Sequence, residues 1–197
     1  MASKVDRSTL IRRGFHLTSP LWLIWYWMPP DAWVGVRKEA VLVSILCVAL
    51  VIEAARLLTG RRILGLRADE SERVSSYAWG SLGLAFGLFF FPGEIVIVTF
   101  WGMAWIDPLC AYTRRKGGYP WVPFAAYAVL AAALSFLVVP TAIDRTGPLD
   151  ATRIAVVALL GGSLAVAFEK PNIKHVDDDF LMNVGPMVVL AALFKFL

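Results

Sequence analysis

Trp101-Gly-Met-Ala-Trp-Ile-Asp107-Pro-Leu-Cys-Ala-Tyr-Thr-Arg114-Arg115-Lys116-Gly-Gly118 closes a long apolar run with one carboxylate, then three cations and two glycines. A charge inside a membrane-length segment costs several kcal/mol unless it is paired or lines a polar cavity, which makes Asp107 a candidate functional residue. A carboxylate, a basic triplet and paired glycines at a membrane surface suit a metal ligand beside a phosphate site. A juxtamembrane anchor explains Arg114, Arg115 and Lys116 alone. It does not explain Asp107.

The whole composition agrees with a membrane setting. Of the 197 residues, 58% are hydrophobic and 17% charged, and the mean hydropathy is +0.66. One soluble core cannot hide that much apolar surface, so the expectation is an all-α, polytopic integral membrane protein forming a single domain over residues 1–197. The net charge of +4 is held in clusters between apolar runs. Such clusters speak for membrane orientation and anionic head groups, not nucleic acid. Cys47 and Cys110 both sit in apolar runs and read as small hydrophobes without a disulfide framework. The first apolar run ends in Trp25-Tyr-Trp-Met-Pro-Pro30 instead of small residues, so it reads as a retained span, not a cleaved leader.

Hydropathy and boundary signals predict about seven spans, near 12–28, 39–58, 78–92, 94–112, 122–142, 153–169 and 184–197. Pro29-Pro30, Pro92-Gly93 and Gly147-Pro148 mark turns on one side. Longer connections, 59–77, 113–121 and 170–183, fall on the other. Lys and Arg concentrate in the N-terminus and those longer connections, which predicts a cytoplasmic N-terminus. Trp22, Trp25, Trp27 and Trp33 then form an outer aromatic belt, with Trp79, Trp105, Tyr119 and Trp121 towards the inner interface.

Nearly every polar cluster at a span end falls on that predicted cytoplasmic side. Arg12, Arg13 and His16 open the first span, with Arg12 and His16 one helical turn apart on one face. They suit phosphate or hydroxyl binding, or else a basic anchor and a structural histidine. Glu53 and Arg56, also a turn apart, are expected to pair. Residues 60–73 mix charges with aliphatics and read as an interfacial segment. Asp177-Asp178-Asp179 before the last span repel one another unless a cation is shared, so they read as a metal–nucleotide centre or a solvated acidic loop. Transporters usually set such groups at the midplane. Here they gather at one face, where an anionic substrate meets a lipid head group.

In this order the motifs resemble the CTP-dependent lipid kinases (dolichol kinase, phytol kinase and the yeast-type diacylglycerol kinase), relatives of phosphatidate cytidylyltransferase. The resemblance runs through Arg12-Arg13-Gly-Phe-His16, through Glu53 and Arg56, and through Ala104-Trp-Ile-Asp107-Pro-Leu-Cys-Ala111 with Arg115-Lys116-Gly-Gly118. It closes with Glu169, Asp177-Asp178-Asp179-Phe180 and Pro186. Ile106 stands where the family has serine, Arg114 where it has glycine and Asp179 where it has asparagine. A family Lys-Ser-x-x-Gly-Ser-like element is absent, since Tyr119-Pro-Trp-Val-Pro leads straight into the fifth span.

The resemblance implies a kinase passing the γ-phosphate of CTP, or another nucleoside triphosphate, to a polyprenol, isoprenoid alcohol or diacylglycerol-like lipid. Asp107, Asp177 and Asp178 would hold Mg²⁺. Asp107, Asp178 and His16 would serve catalysis, and Arg12, Arg114, Arg115 and Lys116 would bind phosphates. A CDP-lipid synthase and a non-catalytic membrane protein or transporter are the alternatives. The active site is expected on the cytoplasmic face, which in a prokaryote is that of the plasma membrane.

Overall fold

A computed structural model describes residues 7–31, 35–61, 63, 65–66, 70, 72–143, 149–169 and 176–196. Among them the chain is helical and contains no β-strand. Its helices are α1 (Arg7–Thr18), α2 (Lys38–Thr59), α3 (Ser76–Phe90), α4 (Gly93–Lys116), α5 (Trp121–Leu137), α6 (Ala151–Phe168) and α7 (Asp178–Phe194). Four of these segments are long and apolar enough to cross a bilayer: α2, α4, α5 with its short 3-10 continuation to Thr141, and α6. Helix α3, at 15 residues, reaches only roughly 22 Å at 1.5 Å per residue. Trp33, Gly147-Pro148, residues 170–175 and parts of the 60–73 segment lie outside the described residues.

The first predicted span is not one α-helix. It starts at Arg7, and after Thr18 it tightens into a 3-10 segment, Ser19–Trp27. Pro20 is the cause: it has no N–H for the carbonyl of His16, and its ring crowds that carbonyl. The Ser19 hydroxyl donates to the His16 carbonyl instead (2.7 Å), and Thr18 Oγ1 donates to Gly14 O (2.8 Å). At the far end of the 3-10 segment, buried Lys38 donates to the carbonyls of Trp25 and Met28 (3.3 and 3.2 Å), which ties α2 to it.

Helix α4 occupies the centre. It packs against α1, the 3-10 segment, α3, α5, α6 and α7, and Gly93 to Phe100 are buried without interruption. A helix apolar on every side belongs in such a position. Close approach to α5 depends on glycine. Gly102, Gly161 and Gly162 cradle the ring of Tyr127, and a methyl group on Gly102 would overlap that ring. On the other side, Gly83 of α3 lies against Phe180 and Asn183 of α7.

Two boundaries move relative to the sequence expectation, and both bring charges into helical turns. Helix α4 continues through Lys116 and stops at Gly117, whose φ of +93° suits glycine. The cationic triplet is thus its last turn, where positive charge complements the helix dipole. Helix α7 starts at Asp178, not near 184, because the Asp177 side chain accepts from the Asp179 N–H (3.1 Å) as a cap. Pro186 therefore lies within the helix, where it leaves the Met182 carbonyl without its intrahelical donor.

Candidate functional site

The bend after His16, the polar end of α4 and the first turn of α7 meet at one end of the bundle. His16 Nε2 lies 3.6 Å from Asp107 Oδ2, and His16 Nδ1 lies 4.0 Å from Asp179 Oδ1. The imidazole thus sits between two carboxylates supplied by helices distant in sequence. None of the three side chains is fully buried, at 15%, 24% and 15% exposed, although the His16 Nε2 atom itself is covered. Pro108, directly after Asp107, removes the amide that would serve the Ala104 carbonyl, adding a backbone acceptor to this stretch of α4.

Each sequence-predicted residue finds a distinct place. Asp107 and His16 come together as expected. The partner from the acidic triplet is Asp179, whereas the family resemblance points to Asp177 and Asp178. Asp177 is buried, caps α7 and has Arg73 Nη1 4.0 Å from its Oδ2. Asp178 is half-buried in the first turn of α7. Arg12 is half-buried on α1, one turn before His16, whereas Arg13 is exposed.

The cations of α4 divide. Arg115 and Lys116 are exposed, with Arg115 Nε donating to the Ala111 carbonyl (3.1 Å). Arg114 instead forks onto both carboxylate oxygens of Glu169, whose side chain is buried at the end of α6. The guanidinium also lies over the Tyr119 ring (5.6 Å), and the Tyr119 hydroxyl donates to Val166 O (3.2 Å). Burial pushes the Glu169 carboxyl above the ordinary carboxylate range. Arg114 opposes that shift, and the charges of Asp107 and Asp178 reinforce it. Burial, then the charge of Glu169, likewise raise the Tyr119 hydroxyl.

Glu53 and Arg56 pair as expected, but they do more than pair. Arg56 Nε and Nη2 donate to the two Glu53 oxygens (2.9 and 2.7 Å), and Nη1 donates to the Glu70 carbonyl (2.9 Å). Arg56 Nη2 also donates to Arg73 O, and Glu53 accepts from Ser75 N (2.7 Å) and Ser75 Oγ (3.0 Å). This buried socket fixes the chain entering α3.

The donor set is a candidate for holding a divalent cation. One ligand atom each from His16, Asp107 and Asp179 lie within 4.8 Å of one another; bonds of about 2.1 Å to one ion allow at most about 4.2 Å, so the set would have to close slightly around it. His16 Nε2 is buried, and the nearest carboxylate oxygen to it is Asp107 Oδ2 at 3.6 Å. Asp177, Asp178 and Asp179 form a second set with the same spacing. No family model, curated protein or solved structure matches the chain.

Proposed function

We propose that this chain is a polytopic membrane kinase. It transfers the γ-phosphate of CTP, or another nucleoside triphosphate, to the hydroxyl of a polyprenol, isoprenoid alcohol or diacylglycerol-like lipid. The observation that carries the reading is the meeting of His16, Asp107 and Asp179, from three helices, at the same end of the bundle as exposed Arg115 and Lys116. The reading includes seven passes, with α1 and its 3-10 extension, α3 and α7 joining the four long segments, and a cytoplasmic active face.

Phosphoryl transfer needs positioning and charge neutralisation more than covalent chemistry from the protein. Mg²⁺, held by Asp107 and Asp179, would neutralise negative charge on the triphosphate. Arg115 and Lys116 draw the nucleotide phosphates to the surface, and Arg12 adds a cation from α1. His16, facing both carboxylates, takes the proton of the lipid hydroxyl as that oxygen attacks phosphorus. The carboxylates hold the resulting imidazolium, and the nucleoside diphosphate leaves.

Purified protein in lipid nanodiscs, given Mg²⁺, γ-labelled CTP and a panel of lipid alcohols, should yield a labelled lipid phosphate. Pyrophosphate release with a phosphatidic acid-like acceptor would replace kinase activity with cytidylyl transfer. Ion flux without nucleotide consumption would replace both with transport.

A further inference from the structure

Helix α2 has a mostly exposed surface. Its buried residues are Lys38, Leu42, Glu53 and Arg56. Two of these four are the ion pair, which among the described residues reaches outward to the strap between α2 and α3. Arg56 grips the carbonyls of Glu70 and Arg73, while Glu53 grips the amide and hydroxyl of Ser75. The strap is also seated on the bundle. Glu70 is fully buried, and Gly65 is buried where any side chain would strike the Tyr77 hydroxyl. From this fixed backbone the Arg73 guanidinium reaches Asp177, whose side chain is only 1% exposed and whose other oxygen accepts from the Asp179 amide.

The geometry points to Arg73 as a positioning residue: held by the Glu53–Arg56 socket, it fixes Asp177 as the cap of α7 and so sets where Asp179 stands opposite His16 and Asp107. Asp177 then acts through the backbone of α7 and not as a ligand. This rests on the proposed site only in that Asp179 belongs to the ligand set. The connection itself is a run of contacts independent of any cation.

Electrostatics alone and positioning predict opposite signs. A cation near a metal site repels the metal, so deleting Arg73 for charge reasons would tighten divalent binding. Under positioning, Arg73→Ala loosens the α7 cap and weakens Mn²⁺ binding about tenfold, the lower end for residues that orient ligands. Arg73→Lys restores most of it. Asp177→Asn leaves affinity within about twofold, because asparagine caps a helix as well as aspartate does, whereas Asp177→Ala behaves like Arg73→Ala.

Mn²⁺ titration followed by electron paramagnetic resonance, with Asp107→Asn as the ligand-loss reference, reads these differences in the full-length protein. Hydrogen exchange of the 177–183 peptide reads the cap without metal and should accelerate in Arg73→Ala and Asp177→Ala but not in Asp177→Asn. Unchanged or tightened Mn²⁺ affinity in Arg73→Ala overturns the assignment, as does an Asp177→Asn loss equal to that of Asp107→Asn. If the wild type takes no Mn²⁺, the metal reading of the site falls. Exchange then decides positioning: unaltered rates in Arg73→Ala overturn it, and the stated pattern sustains it.

Discussion

Arg114 and Glu169 lock the end of α4 to the end of α6, the guanidinium forking onto both carboxylate oxygens of a buried glutamate. The arginine is 42% exposed and the glutamate side chain only 2%, so the two halves of the pair are not equivalent. Arg114→Ala leaves a buried carboxylate without its donor, a loss of about 1–3 kcal/mol. Glu169→Gln leaves an arginine that turns to water and should cost less. Thermal melts of the two variants in one detergent check the order, and equal losses would contradict it.

Arg115→Ala and Lys116→Ala should behave differently from Arg114→Ala. Both side chains are exposed, and exposed charges contribute roughly 0–1 kcal/mol to stability. Their melting temperatures should match the wild type while the apparent KM for nucleotide rises. Unchanged KM in both variants would return these two residues to membrane anchoring.

Asp107→Asn, Asp179→Asn and His16→Gln should each abolish turnover without unfolding the protein. The Asp107→Asn/Asp179→Asn double variant should be little worse than the worse single, as for groups serving one transition state. Asp178→Asn should retain more activity than Asp179→Asn, since Asp179 places a carboxylate oxygen 4.0 Å from His16 Nδ1. Rates measured on folded, monodisperse samples decide it, and the reverse order would move the site to the other carboxylates.

The raised pKa of Glu169 fixes the sign of a pH effect. Above about pH 4.5, an unfolded chain has largely lost this proton while the folded protein still holds it. Stability from this group therefore falls as pH rises through that window, and it flattens once the folded carboxyl has ionised. Glu169→Gln should remove that part of the slope. Melting temperatures of both proteins across acidic pH test this, and identical profiles would refute it.

Gly102→Ala should destabilise the bundle by about 1–3 kcal/mol, because the new methyl overlaps the fully buried Tyr127 ring. Gly14→Ala is the matched control: nothing lies within 4 Å of its added carbon. It should be neutral or slightly stabilising, as glycine-to-alanine changes in helices are. The same melts report both.

Much of this architecture is written in hydropathy. The extents of α2, α3, α5 and α6 follow apolar runs that end in glycine, proline or charge. What hydropathy misses is which hydrogen-bonding pattern the backbone adopts within an apolar run. Residues 19–27 remain apolar, yet Pro20 makes them 3-10. The helix start at Asp178 was hidden for a related reason: a polar triplet reads as loop, although an aspartate cap followed by acidic first-turn residues is an N-terminal signal. That one shift puts both Asp178 and Asp179 in the first turn of α7, with Asp179 opposite His16. Sequence spacing brought Asp107 and His16 forward, because a charge and an imidazole stand out among apolar neighbours. Arg114 looked equivalent to Arg115 and Lys116, and only the packing of α6 distinguishes them. Arg73 carried no signal, since its role depends on a socket made by residues 53 and 56.

The parts differ in how soon synthesis can complete them. The Glu53–Arg56 socket closes over residues 53–75, so every group it needs exists once α3 has been made. The gathering of His16, Asp107 and Asp179 draws on the first helix and the last. Chains emerge N-terminus first. A chain terminated after α4 therefore contains Asp107 and His16 but lacks the third member. Only a chain translated past residue 179 has the whole set.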